Sequence, residues 1–198
     1  MDLQLMRVMM IDQNKIYQKE LFRKKYLEIR KNLKSTRKEI ASKTLYSQLL
    51  SRMQKNKNIL SYANKDDEIN TFEINFKLCS EKRLFLPKVN GKVLEIYKVE
   101  DLKNLKFNNF LKIHEPNPRL CEKASLFEID IVLVPGICFN NLNERIGFGG
   151  GFYDRLLSSE GKTKNDLKTY GLCFKEQYLL KKLPTSKLDV SLDKVFCY

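Results

Sequence analysis

Asp130–Leu157 reads DIVLVPGICFNNLNERIGFGGGFYDRLL, and three consecutive parts of it decide the fold. Ile129 to Val134 is apolar apart from Asp130, and a run of that kind suits a central strand covered on both faces. Pro135-Gly136 ends it. A loop follows, and then four of the chain's eight glycines (Gly147, Gly149, Gly150 and Gly151) fall within five positions. Phe152 to Ser158 then reads as a helix. Strand, glycine loop and helix in this order form a unit of an open α/β sheet, where ligands collect outside the carboxyl ends of the strands.

Working outward, the same alternation continues. Residues 16–34 predict a helix, with Phe22, Tyr26, Ile29 and Leu33 on one face. Thr36-Arg37-Lys38-Glu39 has the form of a capping box and predicts a second helix with Ile40, Leu45, Leu49 and Met53 turned inward. Asn58 to Ala63 reads as a short strand, followed by an acidic loop, Asp66-Asp67-Glu68. Asn70 is placed to cap a helix to Cys79 that buries Phe72 and Phe76. Arg83 to Leu86 is a strand stopped by Pro87, and Val93 to Val99 alternates like a half-buried strand. Residues 100–125 read as irregular, with turns at Pro116 and Pro118. Tyr170 to Phe174 and Val195 to Cys197 complete the strands. The expectation is one three-layer, Rossmann-like α/β domain over 16–198. Its open sheet is mostly parallel, with helices on both faces and an N-terminal helical segment. Residues 1–15 are expected to be a flexible extension.

Composition narrows the function classes. The chain has 198 residues and a net charge of +13. Residues 1–57 carry fifteen Lys/Arg against five Asp/Glu, so +10 of that charge lies there. A basic surface favours anionic partners, although Lys-rich decoration of solvated faces gives the same count. No apolar run approaches the roughly 18 residues of a membrane span, and no signal-peptide core of about 7–15 residues is present. Five cysteines without a C-x-x-C read as thiols of a reducing compartment. The single histidine, His114, excludes multi-histidine metal sites.

The glycine loop offers backbone N–H groups to an anion without a Cβ in the way, and Arg145 and Arg155 flank it. An ordinary flexible turn fits the glycines as well. The loop lacks the G-K-[ST] of a Walker A motif and the spacing of the dinucleotide fingerprint. Asp154, in the first turn of the next helix, is either a magnesium ligand of the usual type or an acid that complements the helix dipole. Asp189 and Asp193 read as turn residues. Glu68 reads as a loop acid or as a contact for a polar ligand group. Lys19 and Arg23 share a helix face. His114 precedes Glu115-Pro116 in an extended or turning segment.

Together these residues resemble the 5-formyltetrahydrofolate cyclo-ligase (methenyltetrahydrofolate synthetase) family. Asp130–Leu157 is similar to its strand, Pro-Gly, Phe and R-x-G-x-G-x-G-[YF]-Y-D signature. Lys19–Leu33 resembles its K-x-x-x-R helix, Tyr62–Thr71 its strand and acidic loop, and Gly171–Val195 its closing F-x-x-Q, Pro, D-x-x-x-D segment. The resemblance implies conversion of 5-formyltetrahydrofolate to 5,10-methenyltetrahydrofolate with ATP and Mg, through a phosphorylated formyl group, releasing ADP and phosphate. It implies that Lys19, Arg23, Arg145 and the loop Ile146, Gly147, Phe148, Gly149, Gly150, Gly151, Phe152 and Tyr153 hold ATP, with Arg145 and Tyr153 catalytic. Phe148 to Phe152 would also face the folate, Glu68 its pteridine end, and Asp154 and Asp189 the magnesium. Phe148 and Phe152 stand where the family often carries Tyr, which leaves the loop its backbone role. The expected protein is a cytoplasmic monomer acting on a small-molecule folate, with or without a polyglutamate tail, and with no nucleic-acid or membrane partner. Two other readings compete. A basic nucleic-acid module requires basic stripes with interleaved aromatics, whereas the aromatics of 16–34 fall on its apolar face. Another ATP-dependent ligase or kinase on a similar sheet shares the loop chemistry.

Overall fold

The computed structural model describes residues 3–52, 57–158 and 166–198. Its frame is a seven-stranded sheet. The strands are β1 (Ile59–Leu60), β2 (Leu84–Asn90), β3 (Val93–Lys98), β6 (Glu122–Ala124), β7 (Ile131–Val134), β10 (Lys168–Cys173) and β12 (Lys194–Cys197), in the order β12-β10-β7-β1-β2-β3-β6. The five from β12 to β2 run parallel. β3 and β6 close one edge antiparallel. All four residues of β7 are buried, as its apolar run requires. The chain steps from β1 to one side through β2, and from β7 to the other through β10. The carboxyl ends of β1 and β7 therefore flank the point where strand order reverses.

Two cores lie on the two faces of this sheet. Ile59, Leu84, Ile131, Leu133 and Leu172 point to the face covered by helices α2 (Ser35–Arg52) and α3 (Phe72–Ser80). Their alternates Leu60, Phe85, Val132, Val134 and Cys173 point to the face where α4 (Phe152–Leu157) packs with Tyr153, Leu156 and Leu157. That is the expected three-layer arrangement. A small second sheet lies beside it, with β8 (Cys138–Asn140) between β11 (Tyr178–Leu179) and β9 (Arg145–Ile146). Helix α1 (Leu3–Lys31) packs on this sheet through Tyr26, Phe22 and Ile29 against Ile137, Cys138, Ile146 and Leu179.

Several local expectations are revised. The helix expected from residue 16 begins at Leu3, inside the expected flexible extension, because no Gly or Pro interrupts residues 3–31. Helix α2 starts before Thr36, since the amide of Lys38 bonds the Lys34 carbonyl (3.1 Å) and the capping box at Thr36 is not used. Its inward stripe is Ala41, Leu45 and Leu49. Ile40 is 62% exposed, and Met53 lies outside the described residues. The N-cap of α3 is Thr71 and not Asn70, which stands one residue earlier and accepts the Phe72 amide on Oδ1 at 2.7 Å. Phe72 and Phe76 are nevertheless 60% and 61% exposed, while Ile74, Leu78 and Cys79 are buried. Polar contacts set that rotation. Thr71 Oγ1 and Asn75 Nδ2 both donate to the buried carbonyl of Tyr62 (2.7 and 3.0 Å), a group costly to leave unpaired.

Strand β2 runs on through Pro87, where a stop was expected. It has outrun the two-residue β1 by that point, and such open positions tolerate proline. Residues 100–125 are structured: a hairpin of β4 (Leu105–Asn108) and β5 (Ile113–Pro116) precedes β6. The buried Glu115 carboxylate docks this hairpin, accepting from the Val89 amide (2.9 Å) and Asn108 Nδ2 (2.8 Å).

Candidate active site

A cleft of about 310 Å³ opens at the reversal point of the sheet. Distant parts of the chain meet in it. Helix α1 supplies Lys19 and Arg23. The exit of β1 supplies Tyr62, Lys65 and Glu68. The exit of β7 supplies Pro135, and the glycine loop runs from Gly147 to Gly151. Arg145, Phe152, Tyr153, Asp154 and Asp189 also line the cleft. Every site residue expected from the sequence lines the cleft except Ile146. That side chain is turned under α1 into the small core and is 2% exposed, because it alternates with Arg145 on β9. Any part it has in holding a ligand is left to its backbone.

The glycines are used for conformation. Gly149 and Gly151 have φ of +102° and +63°, a region that L side chains rarely adopt. The loop is pinned from three sides. Arg23 Nε donates to the Gly147 carbonyl (2.9 Å). Arg155 Nη2 donates to the carbonyls of Gly150 (2.7 Å) and Lys92 (2.6 Å). Arg145, 5% exposed, donates from Nη2 to Asp154 Oδ1 at 2.8 Å. The same oxygen accepts the Val190 amide (3.1 Å). The buried Nε of Arg145 has no hydrogen-bond partner among the described residues, so a donor is left over inside the cleft wall.

Cations hold both candidate metal ligands. Lys19 Nζ reaches both oxygens of Asp189 (2.7 and 2.6 Å), and Oδ2 also accepts the amide and hydroxyl of Ser186 (2.6 and 2.7 Å). Burial alone would raise the Asp189 carboxyl, but Lys19 and Ser186 outweigh it and hold the group below its ordinary value. Among the described residues no group of three or more His, Cys, Asp or Glu forms a metal cage. Magnesium commonly keeps several waters and takes one or two carboxylates plus substrate phosphates. Asp154 and Asp189, both facing the cleft, fit an ion of that kind arriving with a nucleotide.

The other end of the site is drier. Glu68 is buried, accepts the Lys65 amide on Oε2 (2.8 Å), and has no hydrogen-bond partner on Oε1 among the described residues. Burial pushes its pKa up, against the Lys65 amide and Arg30. Tyr62 and Tyr153 are also raised, chiefly by burial and then by Glu68, so both phenols keep their protons near neutrality. The walls are apolar: Pro87 and Val89 from β2, Leu94 from β3, and Leu111 and Ile113 from the β4–β5 hairpin, with His114 at the rim. This hairpin wall was missed in the sequence, because its docking group is one buried glutamate and not an apolar pattern. Lys65 was also missed; its Nζ lies 4.7 Å from the centre of the Phe148 ring. One signal for a further arginine was available, since Arg30 continues the helical face of Lys19 and Arg23.

The cleft thus joins a cationic, glycine-lined end to an aromatic and aliphatic end with a buried carboxyl. Comparisons with known proteins place the whole chain rather than the cleft. The 5-formyltetrahydrofolate cyclo-ligase family model matches residues 15–198. The chain is 31% identical to the 5-formyltetrahydrofolate cyclo-ligase of Escherichia coli (strain K12) over 121 residues, 58% of this chain and 62% of that one. It therefore spans less than two thirds of the length of that relative. It is 31% identical to a probable 5-formyltetrahydrofolate cyclo-ligase of Caenorhabditis elegans over 154 residues, 72% of this chain and 73% of that one. The NMR structure of Aquifex aeolicus 5,10-methenyltetrahydrofolate synthetase superposes with a TM-score of 0.78 at 30% identity, covering 90% of this chain and 89% of that one. With most of its length matched by one family model and its sheet shared with a solved synthetase, the chain belongs to the 5-formyltetrahydrofolate cyclo-ligase family.

Proposed function

We propose that the protein converts 5-formyltetrahydrofolate to 5,10-methenyltetrahydrofolate, using ATP and magnesium and releasing ADP and phosphate. The observation that carries this reading is the single cleft that gathers Lys19, Arg23, Glu68, Arg145, the glycine loop, Asp154 and Asp189 from separate parts of the chain. A formyl amide oxygen is a poor leaving group. Transfer of the terminal phosphoryl group to that oxygen expels ADP. The second folate nitrogen then attacks the formyl carbon, the C–O bond breaks with loss of phosphate, and the nitrogen gives up its proton. Such transfer depends mainly on positioning and charge stabilisation.

In this reading Lys19, Arg23 and the loop amides receive the phosphates, and the unpaired Nε of Arg145 is a donor left for the transferring group. Lys19 exchanges part of its contact with Asp189 for a phosphate oxygen. Magnesium, when bound, neutralises phosphate charge, and Asp154 and Asp189 are the side chains that would hold it. Glu68 takes the pteridine end through Oε1, which has no hydrogen-bond partner among the described residues. Tyr153, between Glu68 and Arg145, keeps its proton and donates a hydrogen bond in the cleft. The apolar walls keep water from the activated formyl group.

The test is a reaction of purified protein with 5-formyltetrahydrofolate, ATP and magnesium. A near-ultraviolet methenyl band should grow with one phosphate released per product and should vanish when either ATP or the metal is left out. No band, or ring closure at full rate without ATP, contradicts the reading.

A further inference from the structure

Arg30 is a buried charged side chain that the activity just described leaves unused. It is 1% exposed and, unlike Lys19 and Arg23, it does not line the cleft. Its guanidinium sits under the junction of the loops that do. Nε donates to Asp67 Oδ2 at 3.0 Å, and Nη2 lies 2.9 Å from the same oxygen. Nη1 stands 3.7 Å from Glu68 Oε1 and donates to the Gly136 carbonyl at 3.4 Å. The Phe148 ring centre lies 5.3 Å from its Cζ, while Lys65 covers the same ring.

One planar fork therefore touches the acidic loop after β1, the turn after β7 and the glycine loop. Burying an arginine is costly unless its charge is matched. Here the match goes to the loop that carries Glu68, so the fold places a fixed cation under a ligand-facing carboxyl. Lysine brings a single point charge and cannot serve these acceptors in one plane.

We propose that Arg30 is the positioning residue of the folate half of the cleft: it fixes the Asp67–Glu68 loop and seats Phe148, without touching either substrate. The proposal rests on the reading of Glu68 as the folate contact.

The test compares wild type, Arg30→Lys, Asp67→Asn and the double variant. Each is measured for direct binding of 5-formyltetrahydrofolate, direct binding of a non-hydrolysable ATP analogue, both Michaelis constants and the thermal midpoint. Arg30→Lys should weaken folate binding and raise the folate KM by about tenfold or more, on the scale of a lost charge-assisted hydrogen bond. Binding of the ATP analogue should stay within about twofold, because the phosphate contacts lie elsewhere. Asp67→Asn, whose carboxylate is partly exposed, should act in the same direction with a smaller effect. Added to Arg30→Lys it should contribute little, since the two act as a unit.

Unchanged folate affinity in folded Arg30→Lys overturns the proposal, as does equal weakening of both ligands, which is the mark of a general structural role. If Arg30→Lys does not fold, Asp67→Asn decides alone, and unchanged folate affinity there overturns it. A wild-type protein that fails to bind 5-formyltetrahydrofolate overturns the reading of the site beneath the proposal. Wild-type binding with unaltered variants overturns only the role of Arg30.

Discussion

At the residue scale, the charges of the cleft are held in pairs, and each pair makes a prediction. Asp154 was readable either as a helix-dipole acid or as a metal ligand. The structure adds a buried arginine partner, which changes what its removal should do. Asp154→Asn keeps an acceptor for Arg145 and should leave the fold intact while cutting turnover about a hundredfold, as loss of a phosphoryl-transfer metal ligand does. Asp154→Ala should also lose about 1–3 kcal/mol of stability, because Arg145 is left buried without its partner. Near-full activity in folded Asp154→Asn would make the residue a partner of Arg145 and nothing more. Lys19 and Asp189 give a pH prediction. The folded-state pKa of Asp189 lies below its ordinary 3.8. The stability it contributes is therefore present above 3.8 and is lost as pH falls through the depressed native value. The stability gap between wild type and Lys19→Met should be full at neutral pH and should close in strong acid. Acid titrations of unfolding measure it, and a gap that ignores pH contradicts the pairing.

At the scale of elements, the glycine loop and α1 work together, and they differ in how far they could be read from sequence. The loop was legible because four glycines in five positions are rare in a chain with only eight, and the strand before it is apolar throughout. Arg23 and Arg155, which grip its carbonyls, are ordinary charges in the sequence, and only the fold shows where they reach. Gly149→Val should abolish binding of an ATP analogue while leaving the circular dichroism spectrum unchanged, since a β-branched residue cannot hold φ of +102°. Retained affinity would reduce the loop to a connection. The misread helix faces have a shared cause. Apolar spacing placed Ile40, Phe72 and Phe76 inward. The actual rotations follow Ala41 in α2 and the polar pair Thr71 and Asn75 in α3, which apolar periodicity does not register. Strands β8, β9 and β11 were illegible because two or three residues carry no periodicity.

For the whole molecule, the parallel sheet sets the location of the cleft: β1 and β7 end at the reversal of strand order, and segments that line the cleft leave from those two ends. That much followed from alternating elements and one buried strand. The β4–β5 wall did not, since its burial depends on Glu115. The charge asymmetry also belongs to this scale. The excess of +10 in residues 1–57 lies on the stretch that includes Lys19 and Arg23, and its attraction weakens as the Debye length shrinks from about 10 Å at 0.1 M salt to about 3 Å at 1 M. Added salt should therefore raise KM more for a polyglutamylated folate than for the monoglutamate, with kcat changing less. A parallel loss for both would make the basic charge a matter of composition. The central claim, that one cleft moves a phosphoryl group onto the formyl oxygen, has its most direct test in isotope transfer. With ¹⁸O in the formyl group of 5-formyltetrahydrofolate, the account predicts that the label appears in the inorganic phosphate, one atom per methenyl product. Unlabelled phosphate formed together with methenyl product would contradict it.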